Sequence, residues 1–295
     1  MRWGSVRGMT GRGPVTRAAQ WMQNPDREVR PPTDLQADRP HPARMYDYFL
    51  GGKDNFPADR EAAERAAAGW PNVRKATLEN RRFLGRAVRY LAEEAGIRQF
   101  LDIGTGIPTA NNTHEVAQDV DPRSRVVYVD NDPIVLAHAR ALLVSAPDGM
   151  TTYIDADLRE PDRILEHPEL SRVLDLEQPV ALMLIAILHF VPDEQDPYGI
   201  VRKLVGALPS GSYVALTQLT GDFDPYETGR LVRSYRDSGV PLQARSRAEV
   251  APFFEGLELV EPGIEVVSRW RPDPAAPSPF TREEVSVYGA IAKVR

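Results

Sequence analysis

Strand and helix signals alternate from about residue 98 to the end of the chain, and this alternation constrains the fold more than any other feature. Short apolar runs such as RVVYVD (125–130) predict buried strands, and the amphipathic segments between them predict helices. The near-continuous apolar run 180–188 is typical of a strand covered on both faces. The sequence therefore predicts an α/β fold with a doubly wound, mostly parallel sheet of seven strands.

The chain ahead of the first strand divides into two parts. Residues 1–40 carry four arginines before the first acid and show no apolar period, which predicts a disordered or poorly ordered tail. Residues 41–96 contain segments with helical spacing and are predicted to form a helical N-terminal arm. With an α/β core over 97–295, this arm is expected to complete a single domain over 41–295.

Composition excludes several classes of protein. The chain has 295 residues, a net charge of -6 and no cysteine, so disulfides and thiolate metal sites are excluded. Its five histidines show no metal-binding spacing, and no metal is expected. The acidic balance argues against nucleic acid as a partner. No apolar run reaches the roughly 18 residues of a membrane span, so no membrane partner and a cytoplasmic location are expected.

The loop after the first predicted strand reads LDIGTGIPT (101–109). Its two glycines allow a tight turn and a close approach to a ligand. Thr109 stands where a dinucleotide-binding fingerprint needs glycine. The loop instead resembles the D-x-G-x-G loop of class I S-adenosylmethionine-dependent methyltransferases. That resemblance implies a loop around the methionine portion and ribose of the cofactor, formed by Asp102, Gly104, Thr105 and Gly106.

Two further loops carry acids in positions that suit an adenosine ligand. The second strand ends at Asp130, followed by Asn131, and a carboxylate there can accept hydrogen bonds from both ribose hydroxyls. NAD enzymes use the same arrangement, so Asp130 alone does not choose the cofactor. A lone acid is more often a helix cap or surface charge, but three loops in order reverse that judgement. In class I methyltransferases the loop after strand three surrounds the adenine, which here implies Asp155, Ala156, Asp157 and Leu158.

The fourth strand signal ends at AILHF, which places His189 beside the expected methyl donor. Histidine is the usual general base near neutral pH, so His189 is a candidate catalytic residue. The stretch LHFVPDEQD (188–196) also resembles the corresponding region of small-molecule O-methyltransferases, where such a histidine lines the cofactor pocket. Both roles stay open from the sequence.

Several motifs together resemble a bacterial family of class I S-adenosylmethionine-dependent methyltransferases of undefined substrate. They are an R-x-Y-D-Y-x-L-G-G-K-x-N box, a D-I-G-T-G-x-P-T loop, E-N-R-x-F-L, D-A-D and L-H-F-V, at residues 44–55, 102–109, 79–84, 155–157 and 188–191. The resemblance covers nearly all of the chain from residue 43. It implies the seven-stranded methyltransferase fold and S-adenosyl-L-methionine as the cofactor, but it implies no substrate.

The stretch ARMYDYFLGGKDNFPADRE (43–61) allows two interpretations. Its Gly-Gly-Lys is not a phosphate-binding loop, because Asp47 and Asp54 stand where that motif needs glycine and serine or threonine. In one interpretation it is a short helix ended by glycines. In the other, which the family resemblance favours, the arm covers the open edge of the sheet, and Tyr46 and Lys53 complete the cofactor pocket.

The leading hypothesis is an S-adenosylmethionine-dependent methyltransferase that methylates oxygen or nitrogen of a small molecule. One alternative is a sensor or accessory protein that binds S-adenosylmethionine without turnover. Another is an NAD(P)-dependent oxidoreductase, because the same topology holds both cofactors. Oligomeric state and acceptor do not follow from the sequence.

Overall fold

A computed structural model describes residues 34–142 and 146–295 of the chain. Leu35–Arg295 form one compact unit. Most of the tail expected over residues 1–40 lies outside the described residues. Its last part, residues 35–40, belongs to this unit, and Arg44 donates hydrogen bonds to the carbonyl oxygens of Leu35, Gln36 and Arg39. Within the described ranges, no helix is both long enough and apolar enough to cross a membrane.

Three helices precede the sheet: α1 (Pro42–Phe49), α2 (Pro57–Gly69) and α3 (Val73–Glu93). Proline occupies the first turn of α1 and of α2, where its missing N–H costs nothing. Helix α3 has an apolar stripe that packs on the core, and the Phe83 ring meets that of Trp270 edge to face with centroids 5.3 Å apart.

The remaining elements alternate as the sequence predicts. They are β1 (Gln99–Ile103), α4 (Thr113–Val120), β2 (Arg125–Asp130), α5 (Pro133–Leu142), β3 (Met150–Asp155), α6 (Pro161–Leu165), α7 (Pro168–Val173), β4 (Ala181–Leu184), α8 (Pro197–Gly206), β5 (Tyr213–Leu219), α9 (Pro225–Asp237), α10 (Arg247–Val250), β6 (Glu258–Leu259), β7 (Glu265–Val266), α11 (Arg282–Val285) and β8 (Val287–Lys293). Short 3₁₀ turns cover Leu188–Phe190, Asp193–Gln195 and Ala251–Phe254.

The strands form one sheet in the order β3-β2-β1-β4-β5-β8-β6, and β7 also pairs with β8. Strands β1 to β5 are parallel, while β8 runs antiparallel to β5, β6 and β7. The strand order reverses between β1 and β4. Because crossover connections are right-handed, the helices on the two sides of this point lie on opposite faces of the sheet. The doubly wound α/β prediction is confirmed, and the reversal places a ligand-binding crevice at the carboxyl ends of these strands.

The structure differs from the predicted elements in three places. The sheet has eight strands rather than seven, because the two-residue β7 is too short to leave a periodic signal. The apolar run 180–188 is not all strand, since β4 ends at Leu184 and Ala186 has a φ of 56°. Pro168 divides the helical stretch after β3 into two helices, because its ring cannot continue a helix interior.

Candidate active site

A cavity of about 540 Å³ opens at the carboxyl ends of the parallel strands. This volume lies within the range of sites that take a cofactor-sized ligand. The loops after β1, β2, β3 and β4 form its floor, and the segment 36–50 together with α3 forms the wall opposite. Ten of the residues predicted to bind the cofactor line it: Tyr46, Asp102, Gly104, Thr105, Gly106, Asp130, Asn131, Ala156, Asp157 and Leu158.

The loop after β1 turns sharply at its two glycines, whose φ values are 77° at Gly104 and 69° at Gly106. Residues other than glycine rarely adopt this left-handed backbone conformation. Gly104 also has no room for a side chain, because a Cβ atom there would lie 2.7 Å from Cγ1 of Ile187. The loop therefore lies close under the segment that follows β4, and its backbone faces the cavity.

Asp102 is the next-to-last residue of β1 and is buried, with 5% of its surface exposed. Burial raises the pKa of this carboxyl group to about 6, against the opposing effects of a hydrogen bond from Thr113 and the charge of Arg81. The Thr113 hydroxyl donates to Oδ2 at 2.6 Å. Asp102 thus supports the loop from below, and Thr105 donates to its backbone carbonyl at 3.1 Å.

Asp130 joins the first two loops. Its Oδ2 accepts the backbone N–H of Gly106 at 2.8 Å, and its Oδ1 accepts that of Asp132 at 3.0 Å. Burial raises the pKa of Asp130, while these backbone hydrogen bonds oppose the shift. A carboxylate offers about four acceptor positions, so two remain for a ligand in the cavity.

The loop after β3 contributes Asp157 rather than Asp155. Burial opposes ionisation of Asp157, but hydrogen bonds from Arg159 and Asn131 outweigh it and lower its pKa. Asn131 donates to Asp157 Oδ2 at 2.9 Å, which ties the second loop to the third. Asp155 is exposed and does not line the cavity, so its expected place in the pocket is corrected. It is the last residue of β3, and the chain turns inward only at Ala156.

The segment before α1 is held on the sheet edge by buried charges. The Nδ1 atom of His41 lies 3.1 Å from Asp132 Oδ2, and Nε of Arg44 lies 3.3 Å from the same oxygen. Arg44 also lies 3.5 Å from Asp59, which accepts the His41 backbone N–H at 2.8 Å. Arg44, Asp59 and Asp132 each expose at most 1% of their side chains.

Helix α1 lines the cavity with one face, and the following turn does not. Tyr46 lies on that face, and its hydroxyl donates to the Thr77 carbonyl at 3.2 Å. Lys53 is exposed and does not line the cavity, so its expected role in the pocket is corrected. The glycines beside it end the helix: Gly51 has a φ of 82°, and a Cβ atom on Gly52 would lie 1.9 Å from Asp47 Oδ1.

His189 lies in a second, smaller cavity of about 60 Å³ beside the first. It belongs to a 3₁₀ turn after β4 rather than to the strand end. Burial, and then the charge of Arg245, lower the pKa of His189 to about 3. The imidazole is therefore neutral near pH 7, and its Nδ1 is buried without a hydrogen-bond partner among the described residues.

Three residues of α3 line the cavity, Asn80, Arg81 and Leu84, and sequence reasoning missed the two polar ones, Asn80 and Arg81. Arg81 donates to the Ala110 carbonyl at 2.9 Å and to Asn112 Oδ1 at 3.0 Å, and its Nε is buried without a partner in the described part of the chain. Both residues belong to the E-N-R-x-F-L motif at 79–84, whose residue pattern by itself indicates no contact with a ligand. Within residues 34–142 and 146–295, no group of three metal-ligating side chains is present.

The donor set fits S-adenosylmethionine. Asp130 and Asp157 offer acceptors that would suit ribose hydroxyls and an amino group, the loop from Gly104 to Gly106 lets the backbone approach a ligand closely, and Arg81, whose Nε has no partner among the described residues, lies beside the loop after β1. Fold and site together define a class I S-adenosylmethionine-dependent methyltransferase.

Comparison with known proteins identifies the family. A family model described as S-adenosyl methyltransferase matches residues 28–295, so the chain belongs to the S-adenosyl methyltransferase family. A DUF574-family protein from Streptomyces avermitilis is 52% identical, with 88% of this chain and 100% of that one covered and a TM-score of 0.87. A candidate methyltransferase from Thermobifida fusca is 42% identical, with 90% and 99% covered and a TM-score of 0.79.

A more distant structure shares the fold alone. It is magnesium protoporphyrin IX methyltransferase from Synechocystis with bound S-adenosylhomocysteine, 10% identical, with 85% of this chain and 93% of that one covered and a TM-score of 0.51. No protein of curated function matches the chain. The prediction of a methyltransferase that uses S-adenosylmethionine is confirmed, and neither the sensor nor the oxidoreductase alternative gains support.

Proposed function

We propose that the 540 Å³ cavity binds S-adenosylmethionine and that the methyl group goes to oxygen or nitrogen of a small molecule. The observation that carries the proposal is the convergence of four consecutive strand ends and helix α3 on one cavity. The bound cofactor supplies an electrophilic methyl group on a sulfonium and leaves as S-adenosylhomocysteine.

Each wall of the cavity suits one part of the cofactor. The two free acceptor positions of Asp130 suit the ribose hydroxyls, and Asp157 with Asn131 suits the adenine amino group. Ala156 and Leu158 supply apolar contact for the adenine face. The loop of Gly104 to Gly106 leaves space for the methionine portion.

Arg81 is proposed to receive the carboxylate of that methionine portion. Its guanidinium lines the cavity close enough to Asp102 to influence its ionisation, and its Nε has no hydrogen-bond partner among the described residues. The Nη2 group already donates to Ala110 and Asn112, so the free Nε–H can donate to one carboxylate oxygen while the positive charge attracts the carboxylate.

The N-terminal segment that covers the cavity suits a small molecule as the methyl acceptor. The segment 39–50 covers the site, so an acceptor must fit beneath it or enter beside it. The enclosing wall excludes water from the reacting atoms, which favours transfer over side reactions. His189 is proposed as a hydrogen-bond acceptor for the substrate. Its low pKa makes it a poor general base at neutral pH.

Titration calorimetry with S-adenosylhomocysteine, S-adenosylmethionine and NAD tests the cofactor assignment. We expect binding of both adenosyl compounds and none of NAD. Tight NAD binding without S-adenosylhomocysteine binding would overturn the assignment. Release of S-adenosylhomocysteine with an added acceptor separates an enzyme from a sensor.

A further inference from the structure

The second cavity adjoins the cofactor cavity and has a different character. Five residues line both: Pro42, Tyr46, Asn80, Ala186 and Phe190. A ligand in the second cavity would therefore lie next to one in the first. At about 60 Å³ it is smaller than the roughly 150 Å³ cavity that encloses a benzene ring, so it takes only the edge of a ring whose remainder lies in the adjoining cavity.

The walls of this cavity are aromatic and uncharged. Phe49, Trp70, Phe190 and Tyr235 line it, and among its described lining residues none is Asp, Glu, Lys or Arg. Aromatic side chains favour planar rings through offset stacked or edge-to-face contacts. A charged fragment would lose its hydration there without gaining an opposite charge, so an uncharged ring is favoured.

Two polar atoms in this lining lack partners among the described residues, Oδ1 of Asn80 and Nδ1 of His189. The orientation of the Asn80 amide follows from its neighbours. The Tyr46 hydroxyl donates to the Thr77 carbonyl, so its oxygen is left to accept from Nδ2 of Asn80 at 3.0 Å. The amide oxygen is then the free atom, on a side chain that is 3% exposed.

A buried acceptor without a donor is destabilising, and a ligand that supplies the donor recovers this free energy. Asn80 Oδ1 accepts only, and the neutral His189 ring can accept at Nδ1 when its proton lies on Nε2. Together they match a ligand with two hydrogen-bond donors.

We propose that the second cavity forms part of the methyl-acceptor subsite and takes one edge of an uncharged planar ring with two donors, one of them the hydroxyl that is methylated. This rests on the proposed cofactor site. Asn80 orients the second donor, and His189 faces the reacting hydroxyl. The transfer forms an oxygen–carbon bond and breaks a carbon–sulfur bond, whose electron pair stays on sulfur. Nδ1 of His189 orients the hydroxyl by accepting its hydrogen bond, and the hydroxyl proton is released to water.

The test titrates catechol, phenol and benzoate into the S-adenosylhomocysteine-loaded protein, followed by ligand-observed NMR and the ¹⁵N signals of the imidazole of His189. Catechol should bind roughly tenfold more tightly than phenol, because it adds one hydrogen bond to a buried acceptor. Benzoate should not bind. Catechol should also shift the His189 signals.

Two variants locate the binding. Ala76→Phe fills the second cavity and should abolish catechol binding while S-adenosylhomocysteine still binds. Asn80→Leu, of similar volume, should reduce catechol to the affinity of phenol. If Ala76→Phe does not fold, the change that catechol causes in the ¹⁵N signals of His189 in the wild-type protein decides whether catechol occupies the second cavity.

Equal binding of benzoate and catechol, or catechol binding that leaves His189 unmoved, would overturn the acceptor subsite. Loss of S-adenosylhomocysteine affinity in Asn80→Leu with an unchanged preference for catechol would assign Asn80 to the cofactor instead. Failure of the wild-type protein to bind S-adenosylhomocysteine is a separate result, which refutes the cofactor site itself.

Discussion

Asp130→Asn isolates what the carboxylate at the end of β2 contributes. In the structure its two oxygens accept the backbone N–H groups of Gly106 and Asp132. An asparagine keeps one acceptor oxygen and turns an NH₂ group toward the other N–H, so one of the two backbone donors loses its partner. The variant also loses one of the two free acceptor positions proposed for the ribose.

The expected magnitude follows from these contacts. Hydrogen bonds to a charged group contribute about 1.5–3 kcal/mol each, so the affinity for S-adenosylhomocysteine should fall roughly 10- to 100-fold. Stability should change less than affinity. Burial raises the pKa of Asp130, which means that desolvation of its ionised form destabilises the fold. An uncharged asparagine removes this unfavourable desolvation, which offsets part of the lost hydrogen bonding.

Asp155→Asn is a matched control, because Asp155 is the register partner of Asp130 on β3. It is exposed and lies off the cavity, so its replacement should leave affinity within about twofold. Calorimetry gives both affinities, and thermal unfolding reports stability. Equal affinities of Asp130→Asn and wild type would refute the ribose assignment, and equal losses in both variants would point to a charge effect without a specific contact.

Three further predictions follow from single side chains. Arg81→Met should weaken S-adenosylhomocysteine at least tenfold in calorimetry but leave methylthioadenosine, which lacks the carboxylate, unchanged; equal losses would remove the guanidinium from that end of the site. Asp102→Asn should raise the unfolding free energy at pH 8 by up to about 3 kcal/mol and by little at pH 4.5. The folded carboxyl has a raised pKa of about 6, so its contribution to the free energy of unfolding is fully present below about pH 4 and is lost as pH rises through 6. A gain in stability of Asp102→Asn that is the same at both pH values in denaturant titrations would contradict this. Arg245→Met should destabilise the fold by about 3–5 kcal/mol in the same titrations, because it removes hydrogen bonds to the carbonyls of Leu188 and Val191 in the turn that carries His189; an unchanged midpoint would refute that support.

The sequence predicts the sheet and the floor of the site well, because both follow from local patterns. Apolar runs identify β1, β2 and β5, and parallel strands place their final residues at one edge. Asp102, Asp130 and Asp157 could therefore be assigned to one cavity before any coordinates. Spacing did not separate Asp155 from Asp157, since which of two neighbouring acids turns inward depends on the residue at which β3 ends.

Contacts between segments that are distant along the chain could not be predicted from the sequence. Asn80 and Arg81 lie on a helix that precedes the sheet, and no periodic pattern states that one face of it reaches the strand ends. The end of β4 was also misplaced, because apolar residues 185–188 continue the strand pattern while the backbone turns at Ala186. That turn moves His189 out of the cofactor cavity and into the neighbouring one.

The contacts of the N-terminal segment favour a fixed wall over a lid that opens with each turnover. Arg44, the first residue of the R-x-Y-D-Y-x-L-G-G-K-x-N box, is fully buried against Asp132 of the core and Asp59 of α2. Lifting the segment would separate these charges, and breaking a buried pair costs about 3–5 kcal/mol. The same contacts place His41 and Tyr46 over the cavity. The Gly51–Gly52 turn ends α1 and leaves Lys53 in solvent, so within this box Tyr46 lines the cavity, Arg44 anchors the helix through buried ion pairs, and Lys53 does neither.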